Sequence, residues 1–226
     1  MTKRGFKVIK GAIFDVDGVI LDSMGIWENL GERYLKGMGI RPEKDLDKKL
    51  LYITMEEGAE YMIKEYGLRK TTGEVTEELS ILLKSFYENE VSLKKGVREY
   101  LEGFAGLNIP MAIATSGGRA NMEAALKRLG IHGFFKGSLT CAQVGKGKDD
   151  PFIYLEAARL LGERPENTVV FEDSPLGIRT AGEAGFVTAA VYDPSGEEYR
   201  EYMEKAGDIY VRDFRHPDFK DFMKEV

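Results

Sequence analysis

Two carboxylates, Asp15 and Asp17, follow the apolar run Val8-Ile9-Lys10-Gly11-Ala12-Ile13-Phe14. A run of this kind reads as a strand buried on both faces. Acids at its end are costly to bury unless something binds them, and a hard cation with oxygen ligands would do so. Their spacing gives them separable tasks. One carboxylate can attack a phosphorus atom while the other meets the leaving oxygen. Gly18, next in line, lets the chain bend sharply. Taken alone, the segment also fits a plain solvated turn.

Three more segments carry compatible chemistry. Thr115-Ser116-Gly117-Gly118 closes a second apolar run, Pro110 to Thr115. Hydroxyls beside a helix start suit a phosphate oxygen, with backbone N–H groups as further donors. Gly147-Lys148-Asp149-Asp150-Pro151 precedes a helical pattern, where Lys148 can neutralise phosphate charge, with Lys146 as a competitor. Glu172-Asp173-Ser174 closes the run Thr168 to Phe171 and offers a second source of metal carboxylates. Singly, these read as a cap, an exposed lysine and a polar turn. Jointly they supply nucleophile, acid/base, metal carboxylates, phosphate hydroxyl and lysine, a complete set for phosphoryl transfer.

Residues so far apart in sequence need a scaffold that gathers them. Buried strand-like runs recur at Pro110–Thr115, Thr168–Phe171 and Phe186–Val191, with weaker ones at Gly137–Thr140 and Asp208–Val211. Helical patterns at Arg119–Leu129, Pro151–Leu161 and Leu176–Ala184 separate them, each stopped by a glycine. Strands alternating with helices predict a parallel sheet covered on both faces. In such sheets ligands collect beyond the carboxyl ends of the strands, where three of the four segments fall. Between Ser23 and Leu93 the strand signals vanish. Helices are expected at Ile26–Met38, Leu46–Leu51, Met55–Tyr66 and Glu74–Glu90, as a helical subdomain inserted after the first strand.

Composition narrows the function classes. The chain has 226 residues, 43% of them apolar, enough for a sizeable core in one domain or two small ones. The net charge is −6 and no Lys/Arg block is long enough to track a nucleic-acid backbone. No apolar run has the length of a membrane span, and none follows Met1-Thr2-Lys3-Arg4-Gly5 as a secretory signal would require. Cys141 is the one cysteine, expected as a buried structural thiol, so no internal disulfide is possible. A cytoplasmic protein is expected, without nucleic-acid or membrane partners.

Order and spacing resemble the haloacid dehalogenase superfamily. Asp15-Val16-Asp17-Gly18-Val19 is similar to its first motif, Thr115 to its second, Lys148 to its third, and Glu172-Asp173-Ser174 to its fourth. Pro151–Gly162 and Val170–Gly185 extend the likeness, which covers essentially the whole chain. The resemblance implies a Rossmann-like α/β core, residues 1–22 and 93–226, with sheet order 5-4-1-2-3. It further implies a helical cap domain at residues 23–92. By the same resemblance Asp15 becomes phosphorylated, while Asp17 protonates the leaving oxygen and then activates water. Mg²⁺ is held by Asp15, the Asp17 main-chain carbonyl, Asp173 and Glu172, while Thr115, Ser116 and Lys148 bind the phosphoryl group.

The resemblance implies a magnesium-dependent phosphatase of a small phosphorylated metabolite, since dehalogenating members lack the second aspartate. A phosphomutase like beta-phosphoglucomutase is the alternative, and a non-catalytic regulator on the same fold a remote one. Those mutases carry a cap histidine where Trp27 stands here, and a cap arginine absent from Leu51–Glu57. The third motif also departs from the family pattern Lys-Pro-x-Pro-Asp, reading Lys148-Asp149-Asp150-Pro151-Phe152. The missing first proline puts the stiffness of that loop in question.

Overall fold

A computed structural model describes residues 8–50 and 53–225. Met1–Gly5 and the start of the Leu51–Glu57 segment fall outside the described residues. Contacts divide the chain into two compact units, 1–22 with 92–226, and 23–91.

In the first unit β1 (Gly11–Phe14) follows directly on the N-terminal segment. The second unit then contributes α1 (Met24–Gly37), α2 (Leu46–Leu50), α3 (Met55–Tyr66) and α4 (Thr72–Asn89). The first unit resumes with α5 (Val97–Gly106), β2 (Met111–Thr115), α6 (Arg119–Arg128), β3 (Phe135–Thr140), α7 (Cys141–Val144) and α8 (Phe152–Leu161). It ends with β4 (Thr168–Glu172), α9 (Pro175–Glu183), β5 (Val187–Val191), α10 (Arg200–Ala206), β6 (Ile209–Val211) and α11 (Phe219–Glu225).

The six strands form one parallel sheet in the order β3-β2-β1-β4-β5-β6. This is the expected five-strand order with one strand added at the β5 edge. β1 is shorter than its apolar run, because Val8 is 70% exposed and lies outside the sheet. Pairing sets which residues share a face. Ile13 lies opposite Val170, and Phe14 opposite Phe171. Ile13 and Val170 pack with Ala112 and Ala114 against Ile153, Tyr154, Ala157 and Ala158 of α8. Phe14 and Phe171 stack on the other face at 4.4 Å, meeting Tyr100 and Phe104 of α5 and Phe222 of α11. Both faces are apolar and covered, which accounts for the unbroken apolar strands.

The chain runs from β1 outward to β3, then returns to place β4 on the other side of β1. The strand order reverses between β1 and β4, the position where open α/β sheets leave a crevice.

Among the described residues, the regular elements of the 23–91 unit are all helices. Capping boxes fix two of its starts, Thr54 with Glu57 and Thr71 with Glu74. α1 buries Ile26, Leu30, Tyr34 and Leu35. Gly31 allows close approach there, since a Cβ would meet Leu50 at 2.4 Å.

Candidate active site

Asp15 is the first residue past β1. Its N–H donates to the Phe171 carbonyl at 3.0 Å, so the β1–β4 ladder still holds its backbone. The chain then turns. The Val16 carbonyl accepts from the amides of Ile20 and Leu21 at 2.9 and 2.8 Å, and Gly18 takes φ +74°. That value favours glycine. The Asp17 carboxylate lies beside Gly117, where a Cβ would sit 2.8 Å from Asp17 Oδ2. Gly117 thus makes room for it.

Thr115 ends β2, and its hydroxyl oxygen accepts from the Gly117 N–H at 3.0 Å. Ser116 is exposed, with Oγ 3.5 Å from Cys141 Sγ. Cys141 is half-buried, not the buried thiol expected, because it opens the short α7 at the sheet's rim. α6 begins after Gly118 without a side-chain cap, so its first-turn N–H groups have no intrahelical partner. Arg119 is bonded to Glu123, the Ser138 carbonyl and Gln143, which ties α6 to β3 and α7.

Lys148 and Lys146 separate cleanly. The Lys148 side chain is 9% exposed, with Nζ 2.8 Å from Asp15 Oδ1 and in contact with Glu172 Oε1. Lys146 pairs with Asp150 at 2.6 Å on the surface. The loop lacks the family's first proline but has its own brace. Asp150 accepts from the Phe152 N–H at 2.9 Å, opening α8, and its own N–H reaches the Gly147 carbonyl at 3.2 Å.

Glu172 is fully buried at the end of β4. Its Oε1 accepts from Lys148 and from the Tyr154 hydroxyl at 3.0 Å, and its Oε2 from the N–H and hydroxyl of Ser174, each at 3.0 Å. Gly177 leaves room for it, since a Cβ would lie 2.5 Å from that carboxylate. Asp173 accepts no side-chain hydrogen bond among the described residues. Oxygens of Asp15, Glu172 and Asp173 lie within 4.8 Å of one another.

Three carboxylates therefore face one ammonium, and their protonation reflects it. Burial, with Glu172 and Asp17 nearby, pushes the Asp15 carboxyl up to about 7 despite Lys148. Burial, with Glu172 and Asp15, raises Asp173 well above the usual carboxylate range. Burial works against Glu172 too, but Lys148 and Ser174 hold it below its ordinary value. Lys148 stays charged because Asp15 and Glu172 outweigh its own burial. Asp15 Oδ1 is buried, and among the described residues its partner is the Lys148 ammonium, an ion pair at 2.8 Å. Unshared carboxylate oxygens and surplus negative charge fit a hard divalent cation.

Asp15, Thr115, Lys148, Glu172 and Asp173 are thus held around the carboxyl ends of β1, β2 and β4, with Asp17 beside Gly117. Sequence reading missed Tyr154, whose helical spacing marks it only as core, and whose hydroxyl is the informative atom.

Residues 12–191 match the haloacid dehalogenase-like hydrolase family. The chain belongs to that family. It is 29% identical over 177 residues to the phosphorylated carbohydrates phosphatase of Thermotoga maritima, covering 78% of this chain and 82% of that one. It is 29% identical to the beta-phosphoglucomutase of Bacillus subtilis over 194 residues, 81% of this chain and 83% of that one. A Thermotoga maritima structure assigned provisionally as a beta-phosphoglucomutase superposes with a TM-score of 0.83 at 26% identity, covering 96% of this chain and all of that one. No helix of the described residues is long and apolar enough to cross a membrane.

Proposed function

We propose that the chain hydrolyses the phosphate monoester of a small phosphorylated metabolite, a sugar phosphate or similar, with Asp15 as nucleophile. The reading rests on one observation above the others, the buried Asp15 carboxylate 2.8 Å from the Lys148 ammonium at the point where the strand order reverses. The chain is a phosphoric monoester hydrolase of its family.

A carboxylate oxygen of Asp15 attacks phosphorus, and the bond from phosphorus to the ester oxygen breaks. Asp17 gives its proton to that leaving oxygen. It then takes a proton from water, which attacks the aspartyl-phosphate and releases inorganic phosphate. Lys148, Thr115 and Ser116 hold the phosphoryl oxygens. Asp15, the Asp17 main-chain carbonyl and Asp173 would hold Mg²⁺, with Glu172 beside them. A bound Mg²⁺ supplies charge neutralisation for the phosphoryl group. The helical segment 23–92 is proposed as the cap that selects the substrate.

A second reading is supported by likeness to the mutase of Bacillus subtilis. A mutase must return the phosphoryl group to a reoriented sugar before water takes it. Trp27, 41% exposed on α1, stands where those enzymes have histidine, and Gly117 and Gly118 offer no side chains to a second phosphate. Purified chain should release inorganic phosphate from p-nitrophenyl phosphate and from some of a panel of sugar phosphates, with EDTA abolishing and Mg²⁺ restoring activity. Efficient glucose 6-phosphate formation from β-glucose 1-phosphate and a trace of the 1,6-bisphosphate, with little free phosphate, would favour the mutase.

A further inference from the structure

A second, largely covered lysine lies at the carboxyl end of the sheet and pairs with none of the carboxylates above. The Lys94 side chain is 12% exposed. Its ammonium has three donors, and each has an acceptor: the Gly18 carbonyl at 2.7 Å, the Tyr192 carbonyl at 2.7 Å and Asp193 Oδ2 at 2.8 Å. Asp193 is buried as well, and its other oxygen accepts from the N–H and hydroxyl of Ser195 at 3.0 and 2.6 Å. A buried ion pair is tolerable when its donors and lone pairs are matched, and here they are. Lys94 also donates its own N–H to the Ile20 carbonyl at 2.9 Å. One residue therefore grips the turn after β1 at two points.

That turn carries Asp17. Its amides fold back on the Val16 carbonyl, and Gly18 N–H donates to the Leu21 carbonyl at 3.1 Å, which leaves the Gly18 carbonyl for Lys94. Asp17 sits between Val16 and Gly18 with its carboxylate close against Gly117. The other end of the grip is the loop after β5, a strand separated from β1 by β4. Lys94 thus ties together the loops of two strands that do not touch each other in the sheet. A bond made only to stabilise the fold has no need to end on the residue next to a proton donor.

We propose that Lys94, backed by Asp193, is a positioning residue that holds the Asp17 turn so that its carboxyl meets the leaving oxygen. The inference rests on reading Asp17 as the general acid. A displaced acid hurts esters with poor leaving groups more than esters with good ones, whereas general loosening of the fold lowers both alike. The test measures kcat/KM for phenyl phosphate and for p-nitrophenyl phosphate, the better leaving group. The variant is Lys94→Met with Asp193→Asn, which leaves no buried carboxylate unpaired.

The double variant should lose about tenfold on phenyl phosphate and no more than about twofold on p-nitrophenyl phosphate. Folding is checked by circular dichroism and thermal melting. If the double variant does not fold, Asp193→Asn alone decides, with a loss of about threefold expected on phenyl phosphate only. Equal losses on the two esters, or none, overturn the inference. Asp17→Asn is assayed in parallel. If it shows no leaving-group dependence, the acid assignment fails and takes this inference with it. If it does and the Lys94 variant does not, the inference alone is wrong.

Discussion

β1 and β4 are neighbours that end side by side, and each hands over to acidic residues. In sequence the two ends look alike, yet their carboxylates live in different surroundings. At the β4 end Glu172 accepts from four protein donors, supplied by Lys148, Tyr154 and Ser174. Asp173, one residue further, accepts from no side chain among the described residues, and at the β1 end Asp15 Oδ1 has the Lys148 ammonium as its ion-pair partner. Burial acts on all three. Only Glu172 has donors enough to outweigh its burial and stay below its ordinary value, while Asp15 and Asp173 are driven upward. A carboxylate already saturated by protein donors is suited to fix a neighbour. One with lone pairs to spare is suited to a metal or to attack.

The comparison is broken most severely at Asp15. Asp15→Asn keeps the shape and removes the nucleophile, so turnover should fall by about 10³-fold or more. The protein should still fold, since the backbone N–H to Phe171 is untouched. Substantial residual turnover in a clean preparation would remove Asp15 from the covalent role. Lys148→Ala comes next. It takes the single ammonium away from Asp15 and Glu172, and a loss of about 10²-fold is expected. Lys146→Ala, which removes a surface pair with Asp150 and a cation–π contact with the Phe152 ring, should stay within about twofold. The reverse ranking would exchange the two lysines.

Asp173 and Glu172 give the sharpest contrast. Asp173→Ala should weaken Mg²⁺ binding, followed by calorimetry, and lower the rate by about 10²-fold. Glu172→Gln keeps size and most hydrogen bonds but removes charge opposite Lys148. About a tenfold rate loss is expected, with Mg²⁺ affinity nearly unchanged. If both variants lose Mg²⁺ affinity equally, Glu172 is a metal ligand and the division drawn between the two acids is wrong.

This contrast also shows what the sequence could and could not convey. Asp15, Thr115 and Glu172-Asp173 were legible because short apolar strands in a covered parallel sheet announce their own ends. Lys148 was marked out only by the joint set and the family resemblance, and Lys146 stayed a competitor until the two side chains were seen to part. The brace that replaces the missing proline was not legible, because Asp150 reads as any acid until its bond to the Phe152 N–H is seen. Helix α5 went unread although Val97, Tyr100, Leu101 and Phe104 have helical spacing. Its glycines lower helix propensity, and the reason for one of them is tertiary. A Cβ on Gly103 would lie 2.4 Å from the ring of Phe219. The acceptors of Lys94 are still less legible. Two are backbone carbonyls 76 and 98 residues away, and a carbonyl leaves no trace in residue type.

The smallest effect tests how Glu172 is held. Tyr154 is wholly buried in α8, with its ring near Phe186 and its hydroxyl donating to Glu172 Oε1. Tyr154→Phe keeps the ring and its packing and deletes one donor. Glu172 retains Lys148 and both groups of Ser174, so its charge remains matched and no carboxylate is orphaned. The lost hydrogen bond should lower stability by about 1 kcal/mol. Its effect on catalysis should be smaller than that of Glu172→Gln, because the ammonium opposite Asp15 keeps its partner. A rate loss of about twofold to fivefold is expected, with unchanged Mg²⁺ affinity. A loss as deep as that of Glu172→Gln would mean that the phenol, and not the lysine, fixes the carboxylate. An unchanged rate with the stability loss intact would make Tyr154 a core residue whose hydroxyl merely finds a convenient acceptor.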